Sequence, residues 1–298
     1  MPVGISGGRV HSLSQEMMQM RCAWKELLSV LPLWMRSEVD ELGRDALQEL
    51  RLRSGLQPEL VRACGNIRLK RNIQPDDIHY IVNAASRYSP WSAATMAQGY
   101  ITAQGGHRIG LCGETVVQAG VMTGLRKISS LCIRVARDFE GLADRLRREQ
   151  GSVLILGSPG AGKTTLLRDL IRQRSEHDAG SVGVVDERGE LFPPCGAFPA
   201  GSRTDILTGC SKQQGIEILL RTMGPTTIAV DEITSELDCD ALIKAGWCGV
   251  KLLATAHAAS KEDLYARTVY KPLVKSRIFD TVVILRSDKS WKAERMEL

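Results

Sequence analysis

The sequence predicts an α/β chain: a doubly wound, mostly parallel sheet domain over 145–298, preceded by a smaller α/β domain with its linker over 1–144. Three observations carry this. Five strand-length apolar runs, at 152–157, 182–186, 226–231, 251–256 and 281–286, lack polar alternation, the texture of strands covered on both faces. Helical stretches at 163–174, 211–223, 235–246 and 260–268 separate them. Ahead of residue 145 the pattern is of short alternating runs broken by glycines.

The front half begins with MPVGISGGRVHSLSQ, which has no basic flank followed by an apolar run and so does not read as a secretory leader. Residues 13–31 read as an amphipathic helix ended by Pro32, and a second helix is expected over 36–48. LQELRLRSG, ELVRACG and NIRLKRN then suggest strands separated by glycine turns. Residues 75–87 open with Pro75, Asp76 and Asp77 before an apolar-periodic run, a favourable helix start. Residues 99–113 read as a hairpin turning at Gly105 and Gly106, 131–136 as a strand, and 137–150 as a helix plus connector.

Composition narrows the function. Of 298 residues, 43% are hydrophobic and 24% charged, which argues against disorder. Aromatics are only 5%, few for a protein that stacks single-stranded bases on a row of rings. The net charge of +5 lies wholly in residues 1–150, with 20 Lys and Arg against 15 Asp and Glu; residues 151–298 carry 19 of each. A basic face for an acidic partner belongs in the front half, where Arg62, Arg68, Lys70 and Arg71 cluster. The eight cysteines, Cys195 among them, show no C-x-x-C or Cys/His metal spacing, and read as reduced thiols of the cytosol. The most apolar long window, 241–259, carries Lys244, Lys251 and His257, too polar for a membrane span.

The strongest motif is Gly157, Ser158, Pro159, Gly160, Ala161, Gly162, Lys163 and Thr164, a complete G-x-x-x-x-G-K-[ST] P-loop between an apolar strand and a helix. Its glycines let successive N–H groups turn inward on a phosphate, and the helix adds the positive end of its dipole. Lys163 would reach the β- and γ-phosphates of ATP. Thr164 would ligate Mg²⁺, and Thr165 would touch the α-phosphate. The strand 226–231 ends in Asp231 and Glu232, a Walker B pattern: Asp231 for Mg²⁺, Glu232 to orient or deprotonate water. Water activation favours a hydrolase over a kinase. Strand 182–186 ends in Asp186, Glu187 and Arg188, and both acids are further candidates for that water. Strand 251–256 ends at His257, placed to sense a γ-phosphate. Parallel strands present ligands at their carboxyl ends, so positions 157, 186, 231 and 256 are expected on one edge.

A P-loop, an acidic box DER, a Walker B DE and a strand ending in AH, in this order, resemble the secretion-type ATPases: the motors of type II and type IV secretion and of type IV pili. GGHRIGLCG at 105–113, ISSLCIRVAR at 128–137, VVDERGEL at 184–191 and LLATAHA at 252–258 carry a closer resemblance to the sporulation branch of that superfamily. The resemblance implies a RecA-like ATPase domain behind a small α/β domain, and a homo-oligomeric ring, a hexamer by family habit. It makes Glu187 a main candidate for activating water. It has arginines of the front domain and linker reach the nucleotide, for which Arg134 and Arg126 are the candidates. The four-cysteine zinc module of the large type II motors has no counterpart here. The implied process is ATP-driven assembly or operation of the mother cell–forespore channel. That means docking on membrane-embedded channel proteins from the cytosol, peripheral to the inner membrane on the mother-cell side, through residues 1–140.

Three other readings stay open. A RecA-type DNA-handling motor needs a nucleic-acid-facing surface, which the neutral second half does not offer. A small-molecule kinase does not need both acid pairs. A nucleotide-gated scaffold subunit does not need intact Lys163, Thr164, Asp231 and Glu232.

Overall fold

Glycine positions and side-chain alternation divide the front half into many short elements. The structure is a computed structural model describing residues 19–86, 92–193 and 198–296. The chain forms two compact units, one mainly from Arg21–Asp138 and the other mainly from Phe139–Phe192 and Pro199–Leu298. The first contains α1 (Trp24–Val30), α2 (Leu33–Leu42), α3 (Pro75–Ser86) and α4 (Ser92–Ala97). Its strands are β2 (Leu47–Arg53), β3 (Glu59–Arg62), β4 (Ile67–Arg68), β5 (Tyr100–Thr102), β6 (Arg108–Gln118) and β7 (Val121–Arg134). Short β1 (Gln19–Arg21) and β8 (Asp138–Glu140) bracket them in sequence. The sheet order is β4-β3-β2-β7-β6-β5, antiparallel at every pairing. Leu50, Leu52, Ile109 and Ile133 lie in one core with Leu27, Met35, Ile78 and Ile81 of the helices.

Four expectations for this half are corrected. The helix read over 13–31 begins only at Trp24; Gln19–Arg21 is a strand, with Met20 half-buried between exposed Gln19 and Arg21. Positions 13–18, like the leader reading and Cys195, lie outside the described residues. The helix read over 36–48 spans Leu33–Leu42, because Gly43 (φ 75°) ends it and strand alternation has taken over by Leu47. Residues 137–150 contain no α-helix, only β8 and a single 3₁₀ turn, Asp144–Leu146. There the backbone makes short-range turn bonds, such as Leu146 N–H to the Ala143 carbonyl (2.8 Å) and Glu149 N–H to the Leu146 carbonyl (2.9 Å), and is also tied to side chains: Ala143 N–H donates to Asp169, and Arg174 donates to the carbonyls of Gln150 and Gly151. The strand read at 131–136 is the end of a much longer β7, which with β6 runs on as a two-stranded ribbon to a turn at Ala119 and Gly120.

The second unit is built from β9 (Val153–Gly157), α5 (Lys163–His177), β10 (Val182–Asp186), β11 (Thr204–Thr208), α6 (Lys212–Thr222) and β12 (Thr227–Ile233). It continues with α7 (Glu236–Trp247), β13 (Lys251–Ala256), α8 (Lys261–Ala266), α9 (Lys271–Ser276), β14 (Thr281–Leu285) and β15 (Trp291–Arg295). The order is β11-β10-β12-β13-β9-β14-β15, parallel except for the edge strand β15. Alternate residues face opposite layers. Leu154, Leu156, Ile228, Val230, Leu252 and Ala254 share a core with α6 and α7, and α5 packs on the sheet through contacts with β9 and β13. The predicted α/β class, with a smaller front sheet, is therefore what the chain adopts. The carboxyl ends of β10, β12, β13 and β9 are neighbours in this order, so residues 186, 231, 256 and 157 end on one edge.

In the first unit a buried imidazole ties three segments together. His107 Nε2 bonds the Ala23 carbonyl at 2.8 Å, so it carries the hydrogen; Nδ1 accepts the Ala136 N–H at 3.1 Å. Burial pushes the His107 pKa below its ordinary value of 6.5, so the folded chain holds the ring neutral while the unfolded chain protonates it. The unfolded state then binds more protons below pH 6.5, and this contribution to stability is present above 6.5 and lost as pH falls toward the folded pKa. His107→Leu is expected to cost about 1–3 kcal/mol at pH 7.5, from the orphaned N–H and carbonyl. It should also flatten the loss of stability between pH 7.5 and 5.5, read from urea midpoints; a variant with the parent's slope would remove His107 from that role.

Candidate functional site

The P-loop sits where β9 passes into α5. Gly162 caps the helix at φ 106°, in the left-handed region, so the N–H groups at the start of α5 are turned toward the loop. Lys163 is the first residue of α5 and is buried, with 7% exposed. Its ammonium donates to the carbonyls of Gly157 (2.9 Å) and Ser158 (3.2 Å) and to His257 Nδ1 (3.0 Å). Burial lowers its pKa, opposed by the Asp231 and Glu232 carboxylates.

Because an ammonium only donates, His257 Nδ1 must accept. The imidazole hydrogen therefore sits on Nε2, which donates to Glu232 Oε1 at 2.9 Å. Arg188 approaches the other oxygen, Oε2, at 3.4 Å. One chain of contacts thus runs from Lys163 through His257 to Glu232 and Arg188.

A second set of bonds fixes Asp231. Thr164 Oγ1 donates to Asp231 Oδ2 at 2.6 Å, and Thr255 Oγ1 donates to Oδ1 at 2.5 Å. The Thr255 hydroxyl also accepts the Glu232 N–H at 2.7 Å. Here β12 departs from regular pairing with β13, between Val230 and Ile233, and Glu232 has φ 55°. A non-glycine residue in that region costs conformational energy and persists only where its surroundings over-determine it. The Thr255 hydroxyl and the Tyr270 hydroxyl on the Ile233 carbonyl (3.1 Å) are those surroundings.

The acidic box resolves into two different residues. Asp186 is buried and accepts the backbone N–H groups of Glu190 (2.9 Å) and Phe192 (2.8 Å), with its pKa raised chiefly by burial. Its oxygens are occupied in folding the loop after β10, so the expectation that it competes for water is corrected. Glu187 lines a cleft with Glu190, Lys212, Asp231 and Glu232, and its Oε2 meets Lys212 Nζ at 2.6 Å. Arg134, by contrast, lies on β7 of the first unit, exposed and 3.6 Å from Glu49; Arg126 pairs with Glu114 at 3.0 Å.

Lys163, Thr164, Asp231, Glu232 and His257 therefore share one hydrogen-bonded cluster, with Glu187 lining the cleft beside Asp231 and Glu232. The loop can cradle a polyphosphate, and the hard oxygen pair of Thr164 and Asp231 suits Mg²⁺. Sequence reasoning missed Thr255, Lys212 and Arg188 as site residues. The one available signal for Thr255 was a hydroxyl inside the otherwise apolar LLATA run.

The family described as Sporulation stage III, protein AA matches residues 24–294. The chain is similar to stage III sporulation protein AA of Bacillus subtilis (strain 168), 35% identical over 280 residues, covering 89% of this chain and 91% of that one. Among solved structures it is similar to the Legionella pneumophila ATPase DotB, with TM-score 0.57 and 15% identity over 89% of this chain and 80% of that one. The pilus retraction motor PilT with bound ADP gives TM-score 0.59 and 16% identity over 84% and 76%. At such identities the likeness is one of fold, that of the RecA-like secretion ATPases.

Thr255 generates a direct test. Thr255→Val keeps the volume but strands the Glu232 N–H and releases one oxygen of Asp231, with an expected loss of about 1–3 kcal/mol in denaturant unfolding. Thr255→Ser, which keeps the hydroxyl, should recover most of it. Equal midpoints for parent and Thr255→Val would show the hydroxyl to be dispensable.

Proposed function

The chain belongs to the sporulation stage III protein AA family, and from that premise we propose that it is a Mg²⁺-dependent ATPase working as a homo-oligomeric ring. The observation that carries the reading is the linkage of P-loop and Walker B residues: Thr164 on Asp231, and Lys163 through His257 on Glu232.

Each residue then has a task. Backbone N–H groups of 160–164 and the Lys163 ammonium bind the phosphates, and Thr165 meets the α-phosphate. Thr164 and Asp231 hold Mg²⁺, which when bound draws charge off the β- and γ-phosphate oxygens. Glu187 takes the proton of the attacking water. It is preferred to Glu232, because only one of its oxygens is engaged by a side chain, Lys212, while both of Glu232's are, by His257 and Arg188. His257 reports between Lys163 and Glu232, whose contacts compete with a γ-phosphate for the ammonium's three hydrogens. Arg134 serves a site elsewhere in the ring, exchanging its contact with Glu49 for developing charge on a phosphoryl group.

A panel of variants tests this. Lys163→Ala should abolish nucleotide binding. Glu187→Gln should bind nucleotide normally and hydrolyse about 10²-fold more slowly, with a smaller loss for Glu232→Gln. Turnover per chain should rise with protein concentration, and Arg134→Ala should lose about 10³-fold without losing assembly by light scattering. Normal nucleotide affinity in Lys163→Ala would sink the ATPase reading.

We further propose that the ring docks from the mother-cell cytosol onto the sporulation channel at the inner membrane, through the basic front unit. No helix among the described residues is long and apolar enough to cross a membrane. Charge steering of this kind weakens once the Debye length falls to about 10 Å at 0.1 M salt. Full-length protein should therefore co-sediment with channel-bearing membranes at low salt and be released as salt rises. Binding unchanged by substituting Arg62, Arg68, Lys70 and Arg71 with Gln would place the docking surface elsewhere.

A further inference from the structure

The residues lining the cleft beside the Walker B strand include two cations, Arg188 and Lys212, and more acids than cations. They are shared out crosswise. Arg188 turns from its neighbour in sequence, Glu187, to Glu232, and Glu187 meets Lys212 instead. Lys212 is placed against two ordinary preferences. It is the first residue of α6, where the helix dipole disfavours a cation, and it is 5% exposed, although lysines usually keep their ammonium in water. Ser211 caps the same helix end, accepting the Gln214 N–H at 3.3 Å, so capping does not require a lysine.

The fold holds α6 close enough for this contact. A Cβ on Gly215 would fall 2.4 Å from Cγ1 of Val185, so glycine is what lets the first turn of α6 lie against β10 just before Glu187. One turn earlier in α6, Lys212 Nζ lies 2.6 Å from Glu187 Oε2. A local cost in dipole and desolvation, set by a close helix–strand approach, is spent on orienting one carboxylate.

We propose that Lys212 is a positioning residue: it grips Oε2 of Glu187, fixes the carboxylate's rotamer, and leaves Oε1 to take the proton of the attacking water. This rests on the ATPase reading and on Glu187 as the base. Lys212 itself touches no reacting atom.

The test is a double-mutant cycle in the full-length protein with Mg·ATP, reading kcat and KM separately. Lys212→Met should lower kcat about 10-fold with KM unchanged, and Lys212→Gln, a polar replacement with less risk to folding, should behave alike. Lys212→Arg, which keeps the cation, should recover part of the rate. In the Glu187→Gln background Lys212→Met or Lys212→Gln should cost nothing more, because the carboxylate it orients is gone. Losses that multiply in the double variant, or a raised KM that persists in the Glu187→Gln background, overturn the inference; the second would make Lys212 a direct phosphate contact. Parent protein without turnover overturns the ATPase reading itself and this inference with it, so the two failures are told apart by the parent's rate.

Discussion

The Thr255 hydroxyl donates to Asp231 and accepts from the Glu232 backbone, and these two bonds hold the cleft in shape. Thr255 is fully buried on a strand whose other residues after Lys251 are apolar. A hydroxyl there is tolerated because both its donor and acceptor capacities are used. From Asp231 the connection passes to Thr164 at the start of α5, so β13, β12 and the P-loop helix are joined by side chains as well as by the sheet. The Walker B carboxylate is thereby oriented by the fold itself, a condition for holding a cation without reorganisation.

Around that centre the charges are matched individually. Glu232 has His257 and Arg188, Glu187 has Lys212, and Lys163 has two loop carbonyls and an imidazole. Asp186, buried deepest, is served by backbone N–H groups and shapes the loop carrying Glu187 and Arg188. Side-chain pairs at half-exposed positions can exchange partners at little cost, whereas a buried carboxylate held by amides cannot. The cleft thus has a floor tied by hydrogen bonds at Asp186, Asp231 and Thr255, a Glu187 held by the buried Lys212, and a rim at Glu232 and Arg188 that can re-pair.

Much of this was legible in the sequence because it depends on runs and motifs. The five buried strands are found where continuous apolar texture put them, and parallel pairing brings their ends together. What escaped was set by tertiary contacts. Thr204–Thr208 joins the sheet at its edge with little burial, so no apolar run announces it. Residues 137–150 look helical by composition, yet they make only short-range turn bonds, and Asp169 and Arg174 tie the Ala143 N–H and the Gln150 carbonyl. Gly43 stops the second helix at Leu42, six residues before the expected end, a break that periodicity alone does not register. In the cleft, spacing identified Lys163, Thr164 and Asp231, but Lys212 comes from a helix start 25 residues beyond Glu187, and only packing brings the two together.

The strained turn at Glu232 explains why its neighbours are what they are. A left-handed φ of 55° inside a strand bends the chain after Asp231, so that two adjacent acids that regular β pairing would place on opposite faces both line the cleft. Asp231 stays with the threonines, and Glu232 meets His257 at the end of β13. The strain is offset by bonds to Thr255 and Tyr270, and the histidine on the far side is held in one tautomer by Lys163. Since Lys163 is also the P-loop cation, any anion that draws its ammonium away removes the donor at His257 Nδ1 and frees the ring to change its hydrogen bonding. Glu232 is then the first residue to feel it, and through Glu232 so is Arg188. A bulge of one residue in β12 is in this way what connects the P-loop to the acidic rim of the cleft.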